Sequence, residues 1–169
     1  MKKLIPAVAA AALTMLVAAP GQAASPATQA TASAKIYRPL TIAATQNLDF
    51  GTIVLSGAGT WSGETVSIDQ TGALTCGSAG NVTCSGSPQA AKYHLVGTNN
   101  AVVTISSPGF NLTGPGTLAF TPNAPTTVNL GAAGSTTGFD FGVGGSITLA
   151  SSTPDGVYTG TFAVTANYQ

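Results

Sequence analysis

Charge is what this sequence has least of. Of its 169 residues 6% are Asp, Glu, Lys or Arg, five acidic and five basic, and there is a single histidine. Two of the bases, Lys2 and Lys3, sit at the extreme N-terminus. From residue 24 onward Lys35, Arg38 and Lys92 face Asp49, Glu64, Asp69, Asp140 and Asp155, a net charge of −2. No basic patch exists to neutralise phosphates, which excludes nucleic acid as a partner. The five carboxylates are too scattered to form a paired acid/base site or a calcium cage. Cysteine is scarce too, with two residues, and tryptophan is represented once, by Trp61. A convincing helical period is absent after the first 20 residues, and the 21 glycines are spread too densely for one.

What is present first is an export signal. Lys2 and Lys3 precede an apolar run over 4–19, Pro20-Gly21 breaks it, and Gly21-Gln22-Ala23 is a small-x-small cleavage site. The run is too short for a membrane span of about 20 residues. No later segment is apolar enough to serve, so the mature protein is expected to have no span. No cysteine lies near the cleavage site to carry a lipid. The expected organisation is a signal peptide over 1–23, a small, polar, flexible arm over 24–33, and one domain over 34–169. The product is placed outside the cytosol, from periplasm to cell surface or beyond.

An oxidising compartment makes a disulfide between Cys76 and Cys84 the default. In Thr75-Cys-Gly-Ser-Ala-Gly-Asn-Val-Thr-Cys84 a Gly-rich turn separates two short arms, so the bridge is expected to staple a hairpin. A metal or redox pair lacks the C-x-x-C spacing and nearby histidines.

The rest reads as short strands. Candidates lie at 50–55, 65–69, 91–96, 101–106, 117–121, 126–130, 146–149 and 157–169, and the segment from 32 to 42 is extended with a bend at Pro39. Turn signals such as GTNN, TGPG, GAAGSTTG, GVGGS and TPDG recur at the spacing of an antiparallel sandwich. The last candidate is the clearest. Tyr158, Gly160, Phe162, Val164, Ala166 and Tyr168 share one parity, with Tyr158, Phe162, Val164 and Tyr168 as expected core anchors and Gly160 leaving a gap among them. A core strand needs a neighbour on each side, and the sequence does not say which segment supplies the second one.

Catalytic chemistry is thin. His94 sits in a strand, opposite in parity to Tyr93 and Leu95, and reads as a solvent-facing sheet histidine; no G-x-S-x-G elbow accompanies it. The two Asp-Phe-Gly tripeptides, at Asp49 and Asp140, lack the other parts of a kinase site and read as turn-capping aspartates. GVGGS lacks the Lys of a phosphate cradle. Trp61 reads either as an anchor for its loop or as a surface aromatic for ligand stacking, and one aromatic does not define a site. The chain is therefore read as a non-enzyme without a cofactor or metal.

Three stretches in order, Pro39-Leu-Thr-Ile with Leu48-Asp-Phe-Gly-Thr-Ile-Val54, Phe141-Gly-Val-Gly-Gly-Ser-Ile-Thr-Leu149, and Pro154-Asp-Gly-Val-Tyr-Thr-Gly-Thr-Phe-Ala-Val-Thr-Ala-Asn-Tyr168, resemble the secreted bacterial domain of unknown function 4402. The ending is also similar, more distantly, to spore-coat-U-like subunits of archaic chaperone-usher pili. Those pilins carry cysteines nearer the N-terminal strand than Cys76 and Cys84. The resemblance implies an all-β, single-domain, immunoglobulin-like or pilin-like antiparallel β-sandwich exported by a Gram-negative bacterium.

Two functions follow as expectations. One is a fimbrial, structural or adhesive surface subunit assembled by strand complementation, with like subunits and a periplasmic chaperone and usher as partners; Ala30, Ala32, Ala34 and Ile36 form its candidate donor arm. The alternative is a self-complete, monomeric secreted sandwich that binds a glycan or protein, in which the segment near 34–42 covers the last strand. A hydrolase using His94 ranks last.

Overall fold

A computed structural model describes residues 27–169. The signal peptide expected at 1–23 and the first residues of the arm lie outside the described residues. Residues 27–34 are exposed and carry no strand, while Lys35–Gln169 form a compact unit.

Twelve strands, numbered in chain order, are assigned among the described residues, and no helix. A seven-stranded sheet runs β1 (Thr41–Gln46), β6 (Ala91–Val96), β11 (Phe139–Ala150), β3 (Ser62–Ile68), β4 (Leu74–Cys76). The hairpin of β8 (Phe110–Thr113) and β9 (Thr117–Asn123) joins it where β9 pairs with β11. A three-stranded sheet has the order β10 (Thr127–Asn129), β7 (Val102–Ser106), β12 (Thr165–Tyr168). A separate ribbon pairs β2 (Thr52–Leu55) with β5 (Val82–Ser85). All pairings are antiparallel.

Alternation builds the core. In β6 Ala91, Tyr93 and Leu95 are buried, and in β11 so are Phe141, Val143, Ile147 and Leu149. One cluster lies where the three-stranded sheet packs on the large one, with Val103, Ile105 and Val128 against Tyr93, Leu95, Phe141 and Val143. The other joins Val66, Leu118, Phe120, Ile147 and Leu149 to Ile53 and Leu55 of the ribbon. The result is the sandwich of antiparallel sheets that the turn spacing implies.

Three expectations need correction. GVGGS is not a turn: it is the middle of β11, which runs unbroken for 12 residues. Its glycines are there because the turn after β3 crosses the outer face of the strand. A β-carbon at Gly142 would overlap the Gln70 carbonyl, and one at Gly144 the Ile68 carbonyl. Close backbone approach, and not chain reversal, is what those glycines permit.

The Cys76–Cys84 disulfide forms, with Cα atoms 5.9 Å apart, but it staples no hairpin. Cys76 lies in β4, which pairs with β3, and Cys84 lies in β5, which pairs with β2. The bridge thus ties the ribbon to the large sheet.

The final strand is also shorter than its alternation suggests. Regular pairing covers Thr165–Tyr168, and upstream of it a single bridge joins Thr159 to Thr113.

Candidate functional site

The last thirteen residues keep one parity throughout. Tyr158, Phe162, Val164, Ala166 and Tyr168 are half-buried, and the odd-numbered residues between them are exposed. Tyr158 packs on the cluster around Phe120, and Val164 and Tyr168 pack on the cluster around Tyr93. Phe162 touches both clusters. Its ring stacks on Phe110 with centroids 6.0 Å apart and lies 5.5 Å from Phe120. The expected gap at Gly160 is already filled: a β-carbon there would meet Phe110 at 2.5 Å and Leu112 at 3.1 Å.

Backbone direction follows from these pairings. Thr159 donates to and accepts from Thr113, and Gln169 N–H donates to the Val102 carbonyl. The odd-numbered residues therefore aim their N–H and C=O groups at β7 and β8. In an extended chain the even-numbered residues then aim theirs at the opposite edge. Gly160, Phe162, Val164 and Ala166 have no backbone hydrogen bond on that edge among the described residues.

A second open edge belongs to β2. Ser56 N–H donates to the Asn81 carbonyl, in register with Val54 opposite Thr83, so Thr52 and Val54 point at β5. Ile53 and Leu55 point their backbone away from it, and their side chains are half-buried. The two segments share a groove of about 1110 Å³, lined by Phe50, Ile53 and Leu55 on one side and by Tyr158 to Phe162 on the other. Tyr93, Leu118, Phe120, Ile147 and Leu149 of the core reach its surface. The groove therefore offers apolar contacts and, along two edges, unpaired backbone donors and acceptors.

The far end of the last strand is closed by its own chain. Tyr37 stacks on Tyr168 with ring centroids 4.5 Å apart and planes 13° off parallel. The Tyr168 hydroxyl donates to the Arg38 carbonyl and accepts from Thr98 N–H, each at 2.8 Å. The upstream segment covers that one end, and β1 pairs with β6 instead of the last strand. In the candidate arm Ala30, Ala32 and Ala34 are exposed and unpaired, and Ile36 is 90% exposed.

Glu64 was not singled out from sequence, yet it holds the ribbon's attachment. Its carboxylate, buried at the start of β3, accepts from Ser78 N–H, from Ala79 N–H at 3.1 Å and from the Asn81 amide at 3.1 Å. The Ser78 bond leads the interactions that hold its carboxyl below the usual carboxylate range. The signal was available: Glu64 is in phase with the buried Val66 and Ile68.

The remaining residues lie elsewhere. His94 Nδ1 lies 2.6 Å from Asp140 Oδ1 across β6 and β11, a side-chain hydrogen bond on a face where both residues remain open to solvent. Of the two Asp-Phe-Gly aspartates, Asp49 caps a turn, accepting from Gly51 N–H at 2.8 Å, and Asp140 does not. Trp61 anchors its loop, with Nε1–H donating to the Ser56 carbonyl.

The family model described as domain of unknown function DUF4402 matches residues 40–168. The chain belongs to the DUF4402 family. The match starts one residue before β1 and ends on Tyr168, so both open edges of this DUF4402 domain lie inside it and residues 1–39 lie outside. No curated protein and no solved structure matches the chain.

Proposed function

We propose that this DUF4402 protein is an exported structural or adhesive surface subunit, pilin-like, whose sandwich is completed by an extended strand from another polypeptide. The observation behind this reading is the pair of unpaired edges, Gly160 to Ala166 and Ile53 to Leu55, of which Gly160, Phe162, Ile53 and Leu55 line one groove that opens on the core. A β-strand laid there would pair its backbone with the terminal segment and bury alternate side chains against Phe120, Leu118 and Ile147, which is recognition by strand addition. Each backbone hydrogen bond formed contributes about 0.5–1.5 kcal/mol net. The role is non-enzymatic, and the partners are other pilin-like subunits, not necessarily copies of this chain, and a periplasmic chaperone with its usher. The Lys2-Lys3 leader and the disulfide support placement beyond the cytosol, from periplasm to cell surface.

Size-exclusion chromatography of periplasmic extract tests the reading. The protein should run as a ladder or bound to a partner. A stable free monomer with amides at Gly160 to Ala166 protected from exchange would sink it.

A further inference from the structure

The groove also says what kind of strand it accepts. We infer that its occupant is a segment of a different protein, with leucine- to phenylalanine-sized side chains at alternate positions, and that this chain's own arm is a poor donor. The inference rests on the strand-acceptor reading above and adds the partner's chemistry.

The size argument is direct. The groove measures about 1110 Å³ and reaches down to the rings of Tyr93 and Phe120. Filling it needs side chains that extend well beyond Cβ. In the best parity of the arm, positions 30, 32 and 34 are all alanine, and the other parity offers Gln29, Thr31 and Ser33. Ile36 is the one large aliphatic side chain in 24–36, and it adjoins Tyr37, which is already stacked on Tyr168. Three methyl groups would leave most of the groove unfilled, and a void forfeits the contacts that make burial favourable. Leucine adds three carbons over alanine, about fiftyfold in affinity at each fully buried position. The arm also lies outside the residues matched to the family, so the domain and its groove are defined without it.

Two synthetic peptides separate the possibilities against the mature protein. One is residues 24–36 as they stand; the other carries Ala30→Leu, Ala32→Leu and Ala34→Leu. Calorimetric titration gives affinity, and amide exchange at Gly160 to Ala166 reports whether the groove is the site. The leucine peptide should bind there about a hundredfold or more tighter than the native one, part of the full-burial value being lost to imperfect fit. Equal affinities at the groove would overturn the inference and leave the strand-acceptor reading standing, with the arm as its donor. Binding by neither peptide would overturn both.

Discussion

Thr159 and Thr113 exchange both backbone hydrogen bonds, at 2.9 and 2.8 Å, and among the described residues this bridge is the one backbone-to-backbone pairing formed by residues 157–164, beside the Ala163 carbonyl that accepts from the Ser107 hydroxyl. It holds the terminal segment against β8 while Gly160 and Phe162 line the groove with no backbone hydrogen bond on their open edge among the described residues. The bridge therefore sets which edge of the segment is closed and which is open.

Amide exchange should read that asymmetry residue by residue. In the isolated protein Thr159, Asn167 and Gln169 exchange slowly, and Gly160, Phe162, Val164 and Ala166 exchange fast. Strand addition should slow the second set and leave the first unchanged. Uniform protection across 158–168 would show that the free edge is already occupied.

Phe162 ties the two halves of the core together, stacking on Phe110 and packing against Phe120 and Tyr93. Phe162→Ala should cost about 3 kcal/mol, the lower end for a phenylalanine truncation because the ring is half-buried. Thr161→Ala, on the exposed parity, should stay within about 0.5 kcal/mol. Urea unfolding of both variants makes the comparison; similar losses would contradict the assigned parity.

The disulfide joins two sheets, so its removal should act on the groove as well as on stability. Cys76→Ala with Cys84→Ala should cost about 2–3 kcal/mol for so short a loop. It should also loosen β2, seen as faster exchange at Thr52 and Val54, whose amides pair with β5. A stability loss with β2 exchange unchanged would mean that the ribbon is held by packing alone.

Glu64 predicts an acid-side weakness. Its folded pKa is depressed, by the Ser78 and Ala79 amides chiefly, and Asp69 is held low by the Thr71 hydroxyl and then the Ala73 amide. A depressed carboxylate contributes stability that is fully present above its unfolded pKa and is lost as pH falls through the folded one. Melting temperature should therefore hold steady near neutrality and fall below pH 4.5, the ordinary glutamate value. Glu64→Gln should lower stability at pH 7 and flatten the fall. An unchanged acid limb in that variant would assign the loss to other groups.

Much of the fold was legible locally. The strand read at 91–96 coincides with β6, because Tyr93 and Leu95 alternate cleanly with polar residues. The parity of Tyr158, Phe162, Val164 and Tyr168 matches their burial along the whole terminal segment. β8 is not legible in the sequence, because Phe110–Thr113 is four residues between glycines, too short for a period. Only the end of β11 is legible, because Gly142, Gly144 and Gly145 carry a turn's composition, and the Gln70 and Ile68 carbonyls that require the first two come from a distant part of the chain.

The sequence by itself determined the all-β character, the inward parity of β6 and of the terminal segment, and the single cysteine pair, because side-chain alternation and composition are properties of neighbours along the chain. Tertiary structure decided that Cys76 and Cys84 bridge separate sheets, that Phe110 fills the space at Gly160, and that the edge from Gly160 to Ala166 is open. Those outcomes depend on hydrogen bonds and contacts between residues tens of positions apart, such as Thr113 with Thr159, and no local pattern specifies which distant edge a strand will meet.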